Sequence, residues 1–380
     1  MRRGVLGVGL VLVAAAGAGW AVYAKLDSNI TTDEAAAAEL QRYENERPTS
    51  LVRDARNILL IGSDSRAGSG NRRYGRDSGT ERSDTTILLH LSAGRRSATA
   101  VSIPRDLMVN VPRCRSDDGS RSEPMFAMFN YAFQVGGSAC TIRTVERLTD
   151  IRIDHHMVVD FHGFKEMVDA LDGVEICLAK PIDDKAAKLR LPAGKVTLNG
   201  EQALGYVRAR KTLGDGSDTD RMDRQQRFLA ALVNKVQSND VLLNPVRLYP
   251  VLDAATSSLT TDPALASLRG LYELVRGVRD IPTERVQFLT VPRESYIHNP
   301  NRDQLMEPAA ERLFERLRTD TPVEVVDSSG MRQGPPGLLS HKSSHAWGGK
   351  SDGKWSEGST EPTPPPPTFR GNTAAENPCG

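Results

Sequence analysis

Charged side chains follow several apolar segments of the chain directly, at the points where predicted strands end. These side chains are Asp64 and Arg66, Arg105 and Asp106, and Arg208 and Arg210. In open α/β sheets ligands bind beyond the carboxyl ends of the strands, so charges in these positions are expected to meet a ligand. A fourth cluster, Arg82 with Asp84, precedes a predicted strand, and the start of a strand lies beside the end of its antiparallel neighbour. The sequence therefore predicts one charged rim, although each cluster alone would indicate only a surface ion pair.

Two features suggest that this rim binds an anion. Arg208 and Arg210 are predicted two positions apart on a strand, so their guanidinium groups would point to the same face and repel each other unless an anion joins them. Asp218–Gln226 is predicted to open a helix, where Arg221 and Gln225 share a face four residues apart. A helix N-terminus favours anions. The acidic residues that begin this segment are expected to serve as caps.

Several arginines around a pair of aspartates suit a pyrophosphate. Guanidinium groups bind phosphate oxygens in a bidentate manner, and carboxylates hold Mg²⁺ or Mn²⁺ against them. Phosphoryl transfer depends mostly on positioning and charge neutralisation, which such a rim supplies. The sequence contains no GxxxxGK[ST] or GxGxxG loop and no HExxH or GxSxG motif, and no Cys/His spacing indicates zinc. The adjacent His155 and His156 are predicted to be a structural pair rather than metal ligands.

The composition is that of a globular protein. The chain has 380 residues, with 49 basic and 48 acidic side chains and a formal net charge of +1. At ~100–200 residues per domain, this length fits one large α/β domain with appendages. The balanced charge gives no reason to expect a nucleic-acid partner. The 39% of hydrophobic residues can form a core, and four cysteines are too few for a disulfide scaffold.

Apolar segments alternate with segments of helical period between Asn57 and about Leu317. The predicted strands are Asn57–Ser63, Thr85–Ser92, Ala98–Ile103, Met157–Phe161, Val174–Leu178, Tyr206–Ala209 and Val286–Val291. The predicted helices include Thr141–Thr149, Phe164–Leu171, Met222–Val236 and Ala264–Val278. This alternation predicts an α/β fold, an α-β-α sandwich with a central mixed sheet, over residues 57–320. Residues 321–380 are rich in Gly, Ser, Pro and Lys, and are predicted to be a disordered tail.

The N-terminus carries an apolar stretch, Gly4–Ala24, which is long enough to cross a ~30 Å hydrocarbon core as a helix. A cleaved secretory signal is the alternative, but Trp20 and Tyr23 suit a retained anchor at the membrane interface. The basic residues before it predict that residues 1–3 are cytoplasmic and that everything after 24 is outside. Residues 25–56 are predicted to be a helical or flexible stalk, so one transmembrane helix precedes the folded domain.

The predicted location outside the membrane bears on the four cysteines, because disulfides form there. Outside the membrane Cys114 and Cys140 can oxidise, and they flank a Gly/Ser/Arg-rich loop that a bridge between them would close. We therefore expect a Cys114–Cys140 disulfide. Cys177 lies in an apolar segment and is expected to pack as a small buried residue. Cys379, in the predicted tail, carries no information.

The motifs together resemble the LytR-CpsA-Psr family. They are Asn57–Arg66, Arg82–Thr85, Ser102–Asp106, Tyr206–Arg210 and Arg221–Gln226. These enzymes are membrane-anchored and attach glycopolymers to bacterial peptidoglycan. The order of the motifs is intact over 57–236, and the segment Gly200–Leu204 resembles that of actinobacterial members.

The resemblance implies an α-β-α domain that holds a polyprenyl pyrophosphate-linked glycan, with the lipid tail in an apolar tunnel. It implies that Asp64 and Asp84 hold a metal, Mg²⁺ or Mn²⁺. It gives Asp106 one of two roles, orienting Arg105 or helping to activate the acceptor, and we favour the first. The residues that it implies for binding the pyrophosphate oxygens are Arg82, Arg105, Arg208, Arg210, Arg221 and Gln225, with Arg66 as a weaker candidate. An insert at Ala67–Gly79 and an extra Gly-Asp-Gly between Arg208 and Arg221 depart from the family pattern. The helix stripe of Leu229, Leu232 and Val236 could line the tunnel or simply pack in the core.

The predicted function is therefore that of a metal-dependent phosphotransferase which moves a glycopolymer from its polyprenyl pyrophosphate carrier to a peptidoglycan acceptor. Two alternatives stay open: a polyprenyl pyrophosphate hydrolase with the same site, and a membrane-anchored, lipid-binding regulator without catalytic activity. No helix-turn-helix segment precedes the anchor, which argues against direct gene regulation. The motifs do not name the polymer.

Overall fold

The computed structural model describes residues 16–17, 19–63, 83–116, 118–185, 187–209, 218–237, 245–326 and 367–376. Its strands are β1 (Thr31–Thr32), β2 (Arg56–Ser63), β3 (Ser83–Leu91), β4 (Ala98–Ile103), β5 (Met108–Val111), β6 (Met125–Met128), β7 (His155–Asp160), β8 (Val174–Leu178), β9 (Ile182–Asp184), β10 (Leu189–Leu191), β11 (Gly194–Leu198), β12 (Leu259–Thr261), β13 (Val286–Thr290), β14 (Arg293–Tyr296), β15 (Asn299–Leu305), β16 (Glu324–Val326) and β17 (Thr368–Thr373). Its helices are α1 (19–29), α2 (Glu34–Arg42), α3 (Tyr131–Thr149), α4 (Phe161–Ala170), α5 (Gly200–Arg208), α6 (Asp218–Gln237), α7 (Pro245–Ser258), α8 (Leu268–Arg279) and α9 (Ala309–Arg318).

A nine-stranded mixed sheet organises these elements, in the order β1-β12-β7-β2-β3-β4-β13-β17-β16. Strand β3 runs antiparallel to both β2 and β4, whereas β7 is parallel to β2, and β13 is parallel to β4. The ends of β2, β4, β7 and β13 therefore lie at the same edge of the sheet as the start of β3. We call this edge the rim. At the rim Ser63 is in register with both Ser83 and Asp160, and Ile103 is in register with Thr86.

Helices cover both faces of the sheet because successive strand residues point to opposite sides and the strands are apolar on both. One buried cluster joins Leu59, Leu88 and Val101 of the sheet to Ile142 of α3 and Phe314 of α9. A second joins Ile58, Ile87 and Phe288 of the sheet to Ala230 of α6 and, partly buried, Leu274 of α8. The α-β-α arrangement that the sequence predicts is thus present.

Most of the predicted elements are present with boundaries within a few residues, except that α3 begins at Tyr131 rather than at Thr141. The strand predicted at Tyr206–Ala209 is wrong. This segment is the last turn of α5 and its C-cap. The helix begins at a capping box, in which the Asn199 side chain accepts from the Gln202 N–H while the Gln202 side chain accepts from the Asn199 N–H. Since these reciprocal bonds satisfy N–H groups that would otherwise lack a partner, they stabilise the helix start. The argument that Arg208 and Arg210 share a strand face fails with it.

A kink at Gly136 and Gly137 divides α3, next to a disulfide. Cys114 and Cys140 are bonded, as the sequence predicts, with their Cα atoms 5.5 Å apart. A Cβ on Gly136 would lie 2.8 Å from the Arg115 carbonyl oxygen and 3.0 Å from Cys140 Cβ. Glycine at 136 therefore lets the two chain segments approach closely enough for the bridge.

Two further predictions, for Cys177 and for the predicted tail, are wrong. Cys177 is not a free buried thiol: it is disulfide-bonded, and its partner lies outside the described residues. Within the predicted tail, 324–326 and 368–373 form β16 and β17, and β17 pairs with β13. Composition predicted disorder for these short stretches, but the open edge of β13 supplies backbone partners for them.

The predicted stalk, 25–56, contributes β1 and α2 to the body of the domain: β1 pairs with β12, and Arg47 binds Glu146 of α3 at 2.7 Å. Among the residues that the structure describes, no helix is long and apolar enough to cross a membrane. Most of the predicted anchor, residues 4–15 and 18, lies outside the described residues.

Candidate active site

A cavity of about 1220 Å³ lies between the sheet and helices α4, α5 and α6, and we call it the large cavity. Its apolar wall includes Met157 and Val159 of β7, Phe164 of α4, and Phe228, Leu229 and Leu232 of α6. Leu229 and Leu232 thus line a tunnel-like space, whereas Val236, the third member of the predicted stripe, does not. A cavity of this size with apolar walls fits an extended hydrocarbon ligand.

The polar end of the large cavity brings together four of the predicted site residues. Asp84 comes from the start of β3, Arg208 from the last residue of α5, and Arg221 and Gln225 from the first turns of α6. Arg208 is exposed, and its guanidinium lies 4.5 Å from the centre of the Phe161 ring. Arg221 is only 4% exposed. Since guanidinium groups stay charged at all physiological pH values, this end of the cavity fits an anion.

Arg105 joins the site through Asp84. Its Nη1 donates to Asp84 Oδ1 at 2.8 Å, and its Nε lies 3.5 Å from Asp106 Oδ2. The other oxygen of Asp106 lies 3.6 Å from Arg302 Nη1 on β15. Asp106 therefore lies within ion-pair distance of both Arg105 and Arg302.

The amino-terminal turns of α6 are bound to the rim by side-chain amides. Gln225 Nε2 donates to Thr85 Oγ1 at 3.2 Å and to the Val207 carbonyl at 3.3 Å. Gln226 Nε2 donates to Ser102 Oγ at 3.2 Å and to Thr290 Oγ1 at 3.0 Å. Gln226 was missed by sequence reasoning because only the fold shows that it links α6 to both β4 and β13.

Four predicted site residues, Asp64, Arg66, Arg82 and Arg210, lie outside the described residues. Asp160, which was not predicted, lines the large cavity and stands beside Ser63 at the rim. Its Oδ1 also caps α4 by accepting from the Gly163 N–H at 2.8 Å. The signal that could have found it is similar to the one used for the other clusters, a charged residue at the carboxyl end of an apolar strand.

His155 and His156 are paired with carboxylates rather than with each other. His155 Nδ1 lies 3.2 Å from Asp262 Oδ1, and His156 Nε2 lies 3.1 Å from Asp33 Oδ2. Burial alone would raise the pKa of Asp262, but hydrogen bonds from His155 and the His156 N–H outweigh it and hold the pKa below the ordinary 3.8. Each histidine thus contacts a carboxylate from a distant part of the chain. No cluster of three or more His, Cys, Asp or Glu suited to a metal occurs in the described part of the chain.

Comparison with known proteins matches the LytR_cpsA_psr family model to residues 24–319. A probable cell wall biosynthesis protein, LcpB of Corynebacterium glutamicum, is 39% identical over 68% of this chain and 56% of its own length. LcpA of the same organism, a cell wall biosynthesis protein, is 34% identical over 63% of this chain and 50% of its own. The chain thus spans about half the length of these two relatives.

A third relative, the polyisoprenyl-teichoic acid–peptidoglycan teichoic acid transferase TagT of Bacillus subtilis, is 30% identical over 60% of this chain and 66% of its own. A solved structure of TagT bound to LI-WTA has a TM-score of 0.54 at 24% identity, over 73% of this chain and 96% of that one. The LytR-Csp2A-Psr enzyme from Actinomyces oris has a TM-score of 0.55 at 20% identity, over 71% and 93%. These structures share the α/β fold with its large mixed sheet.

Proposed function

Because the chain belongs to the LytR_cpsA_psr family, we propose that it is a phosphotransferase which moves a glycopolymer from a polyprenyl pyrophosphate carrier to peptidoglycan. One observation carries the proposal: a large apolar cavity ends in a cluster of guanidinium groups at the rim of the sheet. Such a cavity matches a ligand that is a hydrocarbon at one end and a polyanion at the other. The relatives named as teichoic acid transferases support the reaction type.

The polyprenyl tail lies in the large cavity in this proposal. Burying each CH₂ group contributes about 0.8 kcal/mol, so even a partly enclosed tail stabilises the complex by several kcal/mol. The pyrophosphate then reaches the polar end, next to Arg208 and Arg221. Arg105, oriented by Asp84 and Asp106, extends the positive surface along the rim.

The reaction is the attack of an acceptor hydroxyl on the glycan-side phosphorus. The hydroxyl oxygen forms a bond to this phosphorus, the bond from the phosphorus to the bridging oxygen breaks, and polyprenyl phosphate leaves with the electron pair. The hydroxyl proton goes to the departing phosphate. Arg208 and Arg221 stabilise the negative charge on the transferring group and on the leaving group, which is the main task of a protein in phosphoryl transfer.

A divalent ion, Mg²⁺ or Mn²⁺, belongs to the proposal. Such hard cations are bound by one or two carboxylates together with substrate phosphates, so Asp84 at the cavity end is a suitable ligand. Asp64 is the second proposed ligand. When bound, the ion neutralises phosphate charge and orients the pyrophosphate.

The proposed location is the outer side of the cell membrane, with the N-terminus inside. Two observations support it. Gly4–Ala24 has the length and apolarity of a single-pass anchor. In addition, Cys114, Cys140 and Cys177 are all disulfide-bonded, which is typical of proteins outside the cytoplasm.

The test incubates the full-length chain in detergent with a polyprenyl pyrophosphate-linked glycan, Mg²⁺ and peptidoglycan oligomers. Glycan covalently attached to the oligomer is the expected product. Free glycan phosphate with no conjugate would instead indicate a hydrolase, and bound but unchanged lipid would indicate a binding module. A parallel reaction with EDTA tests the divalent ion, since the proposal expects transfer to stop and to return when Mg²⁺ is restored.

A further inference from the structure

A second cavity, of about 660 Å³, lies on the opposite face of the sheet from the large cavity. Its walls come from α2, from the kink of α3, from the start of α4, and from strands β1, β7 and β12. The N-terminal segment 31–42 thus forms part of a cavity wall. We call this space the second cavity.

The alternation of residues along β7 places the two cavities on opposite faces. Met157 and Val159 line the large cavity, whereas Val158 lines the second. Asp160, at the end of the same strand, lines both, and so does Leu259 of the neighbouring β12. The two cavities therefore adjoin at the rim, where the large cavity has its cationic end.

The walls of the second cavity mix apolar with polar side chains, and the polar ones carry both signs of charge. Glu39 and Arg42 form an ion pair at 2.9 Å on α2, and His162 Nε2 lies 3.0 Å from Glu166 Oε1 on α4. Asp33 and Arg115 add further charged groups. Walls of this kind are unsuited to a lipid tail and suited to a hydroxylated ligand that carries both amines and carboxylates.

Two buried polar atoms in this wall have no hydrogen-bond partner among the described residues: His162 Nδ1 and Ser258 Oγ. A buried polar atom that lacks a partner costs about 1–3 kcal/mol, so such atoms commonly mark a position that a ligand or water completes. At Gly137, in the kink of α3, no atom of the described residues lies within 4 Å of the position that a Cβ would take. The wall is therefore open at this point.

We propose that the second cavity is the binding site of the acceptor, an amino-sugar glycan with a peptide side chain such as a peptidoglycan fragment. This inference rests on the proposed function and adds to it the place from which the acceptor hydroxyl enters. Sugar hydroxyls and the ammonium and carboxylate groups of a peptide match the mixed polar wall.

The geometry of phosphoryl transfer supports this assignment. The attacking and leaving oxygens lie roughly in line on opposite sides of the phosphorus. A polyprenyl tail in the large cavity directs the leaving phosphate towards that cavity, so the attacking hydroxyl approaches the phosphorus from the side that faces away from it. The second cavity reaches the rim from that side, at Asp160. A carboxylate has about four acceptor positions, so Asp160 can cap α4 and also accept from the acceptor hydroxyl.

The test fills the second cavity without touching the large one. Ala38 is an exposed residue of α2 that lines the second cavity, and Ala38→Trp places a large side chain there. Gln41→Trp is the matched control, because Gln41 is exposed on the same helix but does not line the cavity. Glu166→Trp, on α4, fills the cavity from another wall, so that a folding defect in one variant does not decide the outcome.

Binding of a muropeptide oligomer to the full-length variants is measured by titration calorimetry in the absence of donor. We expect Ala38→Trp and Glu166→Trp to weaken the oligomer Kd by at least roughly tenfold, an affinity loss of about 1.4 kcal/mol, and Gln41→Trp to leave it unchanged. Affinity for the polyprenyl pyrophosphate glycan should be unchanged in all three.

The inference is overturned if the wild-type chain does not bind the oligomer, if both cavity-filling variants bind it normally, or if they lose the donor lipid instead. The last result would show that the second cavity holds the glycan of the donor. Transfer is measured separately. If the chain binds the oligomer in the second cavity but never forms the conjugate, the proposed function is contradicted and the acceptor-site proposal is still supported.

Discussion

Replacing Arg208 with alanine tests the cationic end of the large cavity most directly. Arg208 is exposed and stacks on Phe161 at 4.5 Å, so its removal affects the fold little. Loss of the cation–π contact costs about 0.5–1 kcal/mol, or a fall in Tm of roughly 1–4 °C. The effect on the reaction should be larger, because a hydrogen bond to a charged phosphate contributes about 1.5–3 kcal/mol.

This range corresponds to a loss of about 10- to 150-fold in kcat/KM at about 1.4 kcal/mol per factor of ten. The assay follows transfer of a labelled glycan from the lipid carrier to a peptidoglycan oligomer, with donor concentration below its KM. Arg208→Lys keeps the charge but loses the bidentate geometry, and we expect it to recover only part of the activity. Arg276→Ala, an exposed arginine of α8 that does not line the large cavity, serves as control and should retain normal activity.

Activity of Arg208→Ala within twofold of the wild type, with an intact fold by circular dichroism, would refute the assignment of this arginine to the pyrophosphate. An equal loss in Arg276→Ala would refute it as well, since the effect would then follow from total charge rather than from position. A loss confined to the KM for the donor would show that Arg208 binds the ground state and the transition state equally.

Three further predictions follow from the described contacts. Leu232→Trp places a larger side chain in the large cavity and should weaken the affinity for a polyprenyl pyrophosphate by roughly tenfold or more. Binding of the peptidoglycan oligomer should be unchanged. An unchanged affinity for the lipid would contradict a polyprenyl tail in this cavity. Replacing both Cys114 and Cys140 with alanine opens a loop of 26 residues. We expect the free energy of unfolding to fall by about 3 kcal/mol, which lowers the Tm by roughly 10 °C. A Tm equal to that of the wild type would show that the bridge does not stabilise the domain. The folded-state pKa of Asp262 is lowered, so its contribution to stability is present above the unfolded value of 3.8 and is lost as the pH falls through the folded value. Asp262→Asn should therefore lower the free energy of unfolding at pH 7 and reduce the loss of stability between about pH 5 and pH 2, measured by acid unfolding followed by circular dichroism. An unfolding curve parallel to that of the wild type would exclude this carboxylate as the cause.

Parts of the candidate site were predictable because local sequence determines them. Asp84 and Arg105 stand next to apolar strands, and antiparallel pairing of β2 with β3 and of β3 with β4 puts those strand ends at one edge. Arg221 and Gln225 share a helix face at four-residue spacing, and both line the large cavity. Spacing and polarity suffice for such predictions.

For α5 and Asp160 the sequence also contains signals, but competing signals favour a different prediction. Asn199 and Gln202 form a capping box that begins a helix, whereas the apolar residues of Tyr206–Ala209 predict a strand. Asp160 is the last residue of β7, and Arg105 lies two residues after the end of β4, so both place a charge at the end of a strand. Short apolar segments fit both the 3.6-residue period of a helix and the two-residue period of a strand, so only capping or packing decides between the two.

The sequence by itself determined the central strands β2, β3, β4, β7 and β13 and the charges at their ends, because the two-residue and 3.6-residue periods are local properties. Only the tertiary structure decided that α6 is bound to the rim through Gln225 and Gln226, that β17 returns to pair with β13, and that Asp160 stands between two cavities. Each of these depends on contacts between residues far apart in the chain. A cavity is the space that such contacts leave between elements, and no single segment of the sequence encodes it.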